Sequence, residues 1–191
     1  MRQAVWFARA VCATALLMTQ VGAKGGKDRG EVEPTEVVSP EDTLMMDLAQ
    51  FFDGTEVQIV QADEHVGVTY PASLLFTDPY DLRFREESTA MLDLLATVLR
   101  LHPDRDVSVE GHLDNALLPR DVRMRHGNHL NLAFRYAEAV HARLITEFNL
   151  DPTRFTVATR GQVDPIASND LDSGQKQNRR VVVWIQPAAS P

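Results

Sequence analysis

Three groups of residues in this 191-residue chain have types and spacings that suit chemistry. His126-x-x-His129, with His112 upstream, has a three-residue separation that can set two imidazoles on one helical face, as metal sites require. Gly127 lies inside the pair and no matched acidic third ligand accompanies it, so no metal is expected. Ser108, His112 and Asp114 supply the residue types of nucleophilic catalysis along one strand and its exit. Neither a nucleophile elbow nor an oxyanion glycine loop accompanies them, so no enzyme is expected. The paired acids Asp78/Asp81 and Glu86/Glu87 read as turn and helix-start residues, which the helix dipole favours. The third group is cationic. Arg120, Arg123, Arg125 and His126 crowd one segment of an acidic chain. They form either an anion-binding cluster or an ordinary solvated loop.

Composition narrows the partners. With 19 Lys+Arg against 27 Asp+Glu, the formal charge is −8, which argues against broad binding to nucleic acid or anionic lipid. Apolar residues at 44 % and charged residues at 24 % are globular values. The single cysteine, Cys12, excludes an intramolecular disulfide or a multi-cysteine metal site. No cofactor is implied.

Residues 1–23 read as a cleavable signal peptide. Arg2 gives the positive start, Ala10 to Met18 the apolar stretch, and Val21-Gly22-Ala23 the small residues before a cleavage point. Arg9 opposes the alternative of a retained anchor, at about 2.5–3.5 kcal/mol in a helix centre. Arg9-Ala10-Val11 before Cys12 does not match a lipobox. Cleavage would leave a cysteine-free chain with 17 basic against 27 acidic residues, a charge of −10.

These residues need elements to position them. Residues 24–54 read as a linker carrying a short amphipathic helix at 41–52, opened by Ser39 as N-cap and Pro40 at the first position. Its stripe of Leu44, Met45, Leu48, Phe51 and Phe52 must dock on the following domain or on an envelope protein partner. A domain follows over 55–186, with a tail at 187–191. Alternation predicts a hairpin from Val57 to Tyr70, and Leu74-Leu75-Phe76 is a short apolar run. Helical periodicity spans Glu86 to Leu101 and Asn128 to Phe148, with strands at 106–111, 155–158 and 181–185. Residues 114–127 and 161–174 read as loops. The order β(β)–α–β–α–β–β predicts an α/β fold, an α+β sandwich with helices packed on one face of the sheet.

Four ordered blocks resemble the OmpA-like domain, the C-terminal peptidoglycan-binding module of outer-membrane proteins, lipoproteins and flagellar stators. Leu75-Phe76 with Leu82 is similar to its opening strand and turn. Val107-Ser108-Val109-Glu110-Gly111-His112-Leu113-Asp114-Asn115 resembles V-x-V-x-G-H-T-D-N. Leu132-Ala133 with Ala137, Val140 and Leu144 resembles L-S-x-x-R-A-x-x-V-x-x-x-L. Pro165 to Asn169, Gly174 and Asn178-Arg179-Arg180-Val181 resemble the closing block. The resemblance covers about Val66 to Ile185. It implies a non-enzymatic periplasmic protein, associated with the outer membrane.

The resemblance also implies a ligand: the diaminopimelate of a peptidoglycan stem peptide, whose ammonium and carboxylate share one carbon. In the family an aspartate takes the ammonium and a helix arginine takes the carboxylate, both oxygens at once. The aspartate corresponds to Asp114, but the arginine position is Tyr136. Arg135 is adjacent, and one residue along a helix turns about 100°. Leu113, Ala133, His129 and Gln175 are further departures. The implied ligand-binding set is Asp114, Asn115, Asn128, Arg135, Tyr136, Asn178 and Arg179. Two functions follow. One is an anchor to peptidoglycan through Asp114 and a relocated cation. The other is a structural subunit of an envelope-spanning secretion or motor assembly, whose ligand site has degenerated.

Overall fold

The computed structural model describes residues 39–188. The expected signal peptide with Cys12, most of the linker and the end of the tail lie outside the described residues. The first helix, α1 (Pro40–Phe51), starts as its sequence dictates: the Ser39 side chain accepts the Asp42 N–H at 3.1 Å. A hairpin follows, β1 (Gln58–Ala62) and β2 (His65–Pro71), turning through Asp63 at φ 54°. Next come a single helical turn, α2 (Ala72–Leu75), the long helix α3 (Glu87–Leu101) and strand β3 (Arg105–His112). Helices α4 (Arg120–His126) and α5 (His129–Thr146), strand β4 (Phe155–Gly161), helix α6 (Asp172–Asn178) and strand β5 (Arg180–Pro187) complete the domain. Among the described residues, no helix is long and apolar enough to cross a membrane.

The sheet order is β1-β2-β5-β3-β4, with β3 and β4 parallel and every other pair antiparallel. Its register explains the strand alternation. Ile59, Val68, Val183, Val109 and Val157 lie opposite one another across all five strands. Residues two apart on a strand share a face, so Val66, Ile185, Val107 and Phe155 form the next apolar row. Against these rows pack Leu92, Leu95, Val98 and Leu99 of α3, and Leu132, Tyr136, Val140 and Leu144 of α5. Each such aliphatic side chain contributes about 1.5–3 kcal/mol on full burial. The helices thus occupy one face, as the element order requires.

Helix α1 belongs to this same core. Leu44 and Leu48 are fully buried in it, and two polar contacts pin the helix: Arg105 donates to Glu41 at 3.0 Å, and the His102 ring meets Asp47 at 2.8 Å. The apolar stripe expected to dock on the domain or a partner is docked on the domain, with Leu44, Leu48 and Phe52 buried and Met45 and Phe51 partly so.

Three local structures differ from the sequence reading. The apolar run at 74–76 begins as the helical turn α2, and only Phe76 makes a strand-like bridge, to Phe84. The expected loops at 114–127 and 161–174 carry α4 and the start of α6. Both helices escape a periodicity search because they bury almost nothing apolar: Val122 alone in α4, and Gly174 and Asn178 in α6. Charge placement supports them instead, with Asp121 and Asp172 in the first turns and Arg123, Arg125 and Lys176 in the last.

Helix α5 comes close to the sheet at Gly111. A Cβ there would sit 1.7 Å from the Ala133 carbonyl oxygen of α5, a backbone atom that cannot step aside. Gly111→Ala is expected to destabilise the domain by about 3 kcal/mol or more, read as a lower denaturant midpoint at unchanged slope.

On the uncovered face, Glu110 accepts the Trp184 indole N–H at 3.1 Å and the Arg160 guanidinium at 3.2 Å. The His112 ring at 3.8 Å, then Arg160 and the indole, hold its carboxyl down at about 2 against the opposing effect of burial. A depressed carboxyl stabilises the fold above its unfolded value, near 4.5, and loses that contribution as pH falls towards about 2. Glu110→Gln is therefore expected to flatten the acid limb of the stability curve in that window, measured by denaturant titration at stepped pH.

Candidate functional site

Strand β3 delivers the site. Its exit is fixed where the Leu113 N–H donates to the Gly161 carbonyl at 2.7 Å, beside the end of β4. The next residue, Asp114, is only 1 % exposed. A carboxylate buried that deeply costs several kcal/mol unless a cation meets it. The cation is Arg179, whose guanidinium donates to the Asp114 carboxylate in a part-buried ion pair.

Arg179 lies between α6 and β5, and the closing block explains how it is held. Buried Asn178 accepts the Ile166 and Ala167 N–H groups at 2.8 and 3.0 Å, and donates to the Ala167 carbonyl and the Asn169 side chain, both at 2.9 Å. Gln175 donates to the Asn169 carbonyl at 2.8 Å. Gly174 lies so close to the Ser168 carbonyl that a Cβ would approach within 1.9 Å. Arg180 donates to the Asp164 carbonyl at 3.0 Å. These contacts brace the 161–171 loop against α6. The Arg179 carbonyl in turn accepts the Ala72 N–H at 2.8 Å, joining the site to the start of α2.

Tyr136 fills the position beside the pair. It is fully buried, its ring tilts against Phe76 at 5.1 Å between centroids, and its hydroxyl donates to the Pro79 carbonyl at 2.6 Å. Burial first, then the nearby Asp114 charge, pushes the phenol far above its ordinary range, with Arg179 pulling the other way. Tyr136 is therefore neutral, and its one donated proton is already used. Burial and Asp114 likewise raise the half-buried Tyr80 phenol. A cavity of about 230 Å³ opens next to the pair, lined by Ala72, Ser73, Pro79, Lys176 and Arg179.

The other expected site residues lie elsewhere. Asn115 is exposed after Asp114. Asn128 caps α5, accepting the Asn131 N–H at 2.9 Å. Arg135 points to solvent, 57 % exposed, and donates to Glu138 at 2.5 Å. The 100° step from Tyr136 has the effect anticipated, and Arg135 is not the partner of Asp114. Arg125 pairs with Asp121 along α4 at 3.0 Å, while Arg120 and Arg123 stand exposed. His129 reaches the Ala116 carbonyl at 2.8 Å, and no metal-holding group of three His, Cys, Asp or Glu occurs among the described residues. Lys176 and Tyr80 were not singled out in the sequence, and Pro79 stood out only as part of the turn Thr77-Asp78-Pro79.

The OmpA family model matches residues 78–179, just over half the chain, from the loop of Pro79 to Arg179 itself. The chain belongs to the OmpA family. Among its relatives, "Probable lipoprotein YiaD" of Escherichia coli is 29 % identical over 70 % of this chain and 57 % of that protein. Among solved structures, the cell wall anchor of the T6SS from Pseudomonas aeruginosa aligns with TM-score 0.65 at 27 % identity, over 75 % of this chain and 96 % of that one. The periplasmic domain of Helicobacter pylori MotB shares the fold, at TM-score 0.64 and 23 % identity, over 72 % and 83 %. The chain spans about half the length of the curated relatives it matches. The five-stranded sheet with helices on one face is thus an OmpA-family fold.

Tyr136→Phe keeps the ring against Phe76 but leaves the part-buried Pro79 carbonyl without its donor. The expected cost is about 1–3 kcal/mol in denaturant unfolding. An unchanged midpoint would show that the hydroxyl contributes nothing to holding the 78–81 loop.

Proposed function

We propose that this OmpA-family chain is a non-enzymatic protein of the cell envelope that anchors to peptidoglycan in the periplasm, after export directed by its N-terminal segment. The observation that carries the reading is the Asp114–Arg179 pair. It supplies one anion and one cation beside a small cavity, the arrangement that an ammonium and a carboxylate on one carbon require. The ammonium of a stem-peptide diaminopimelate would replace Arg179 at Asp114. Its carboxylate would take the guanidinium so released, with Lys176 alongside. Tyr136 packs the wall and contributes no charge. The likeness to a protein described as a cell wall anchor supports the same reading.

The test is co-sedimentation of the protein with purified sacculi. The wild type is expected to bind saturably. Asp114→Asn and Arg179→Lys, checked for folding by thermal melts, are expected to weaken binding at least about tenfold, since losing a desolvated charge pair exceeds about 1.4 kcal/mol. A well-folded wild type that does not sediment with sacculi would overturn the reading, and would favour a scaffold role in which the site has degenerated.

A further inference from the structure

The sheet face opposite the helices carries a second, built site. Its centre is Trp184 on β5. On the neighbouring strand, Gly67 leaves room for the indole to lie against the sheet: a Cβ at Gly67 would meet the ring carbon Cζ3 at 2.7 Å. The indole N–H is held at 3.1 Å by Glu110, and Glu110 is held in turn by Arg160 at 3.2 Å. The ring is thus fixed at its back by backbone and at its edge by a hydrogen bond, and it lines a groove of about 360 Å³. That volume lies within the range of about 300–1,000 Å³ of small-molecule sites.

The rim decides what class of ligand fits. His65, Ser108, Asp164 and Gln186 line the same groove, and their side chains make no hydrogen bond within the described part of the protein. They therefore offer donors and acceptors at no internal cost. The groove carries both signs of charge, Arg160 against Asp164 and Glu110, so a charged ligand of either sign would meet a like charge there. A neutral ligand with one apolar face and several hydroxyl or amide groups meets neither penalty, and that description fits a pyranose ring. The flat apolar face would stack on Trp184, and an acetamido group would pair with the free amide of Gln186.

We propose that this groove binds a neutral acetamido-pyranose, a saccharide unit of a glycan chain, with Trp184 as the stacking platform and Arg160 and Gln186 as polar anchors. The site is separate from the Asp114–Arg179 pair and does not depend on the reading given to that pair.

The probe is chitotetraose, a neutral oligomer of N-acetylglucosamine that carries no peptide and so has nothing to offer the Asp114 site. Two-dimensional NMR of the full chain shows one indole N–H signal from each of its two tryptophans, Trp6 and Trp184. The Trp184 signal is assigned by its loss in Trp184→Phe. Titration is expected to shift that signal saturably at millimolar sugar or below, and Arg160→Ala or Gln186→Ala, both surface changes, to weaken the apparent affinity about tenfold. A Trp184 signal that does not move, or that moves equally in both variants, would overturn the proposal. Sacculus binding through Asp114 would stand or fall separately.

Discussion

Burying the Asp114 carboxylate is the demand around which this domain is arranged. The strand that carries it ends in the interior, so a cation has to be brought to it from elsewhere in the chain. That cation arrives 65 residues later, at the junction of α6 and β5. Its neighbours in the closing block hold it there. Asn178, with four hydrogen bonds to the preceding loop, and Gly174, against the Ser168 carbonyl, do so by making loop and helix one rigid block. A buried pair of this kind adds little net stability, but removing either partner costs about 3–5 kcal/mol because the other is left charged and dry. The polar residues of the closing block therefore serve the fold first, and through it the site.

Tyr136 is best understood from the same charge balance. With an arginine at that position, one buried carboxylate would face two guanidinium groups. A neutral tyrosine leaves one of each sign, and the pair closes on itself. The phenol compensates for its own burial by donating to Pro79, which draws the 78–81 loop over the site. Tyr136 is thus a packed wall beside the pair, and Arg179 is the cation that meets Asp114.

How much of this was legible in the sequence depended on what kind of contact was involved. The apolar rows of the sheet and the faces of α3 and α5 follow from periodicity because burial repeats at fixed spacing: Val66, Val68 and Tyr70 at two, and Leu132, Tyr136, Val140 and Leu144 at four. The apolar stripe of α1 was readable for the same reason, but not which surface it docks on. Helices α4 and α6 were not, since they expose nearly every side chain and rest on charge placement. The Asp114–Arg179 contact was only half legible. Both residues stood out through motif resemblance, but nothing in their spacing says that a residue at the end of one strand meets one at the start of another. Sheet order supplies that fact: β5 lies between β2 and β3, so the entry to β5 is beside the exit of β3.

The same strand order explains why the two faces of the sheet differ in character. Because β3 is an interior strand, paired on both sides, its alternation sends Val107 and Val109 into the helical core and sends Ser108 and Glu110 to the opposite, uncovered face. A central strand with one bare face would ordinarily be polar there. Here β5 places Trp184 directly opposite Ser108, and β2 places Gly67 opposite Trp184. An aromatic ring on a bare sheet gains burial only by lying flat, and it lies flat only where its neighbour has no side chain. Gly67 meets that condition, while Glu110 fixes the one polar atom of the indole. The glycine is therefore a requirement of the tryptophan's placement rather than a weakness in the strand. A ring so fixed leaves its outer side facing the groove between Gln186 and Arg160, where sheet register alone forms a flat apolar surface bordered by polar groups.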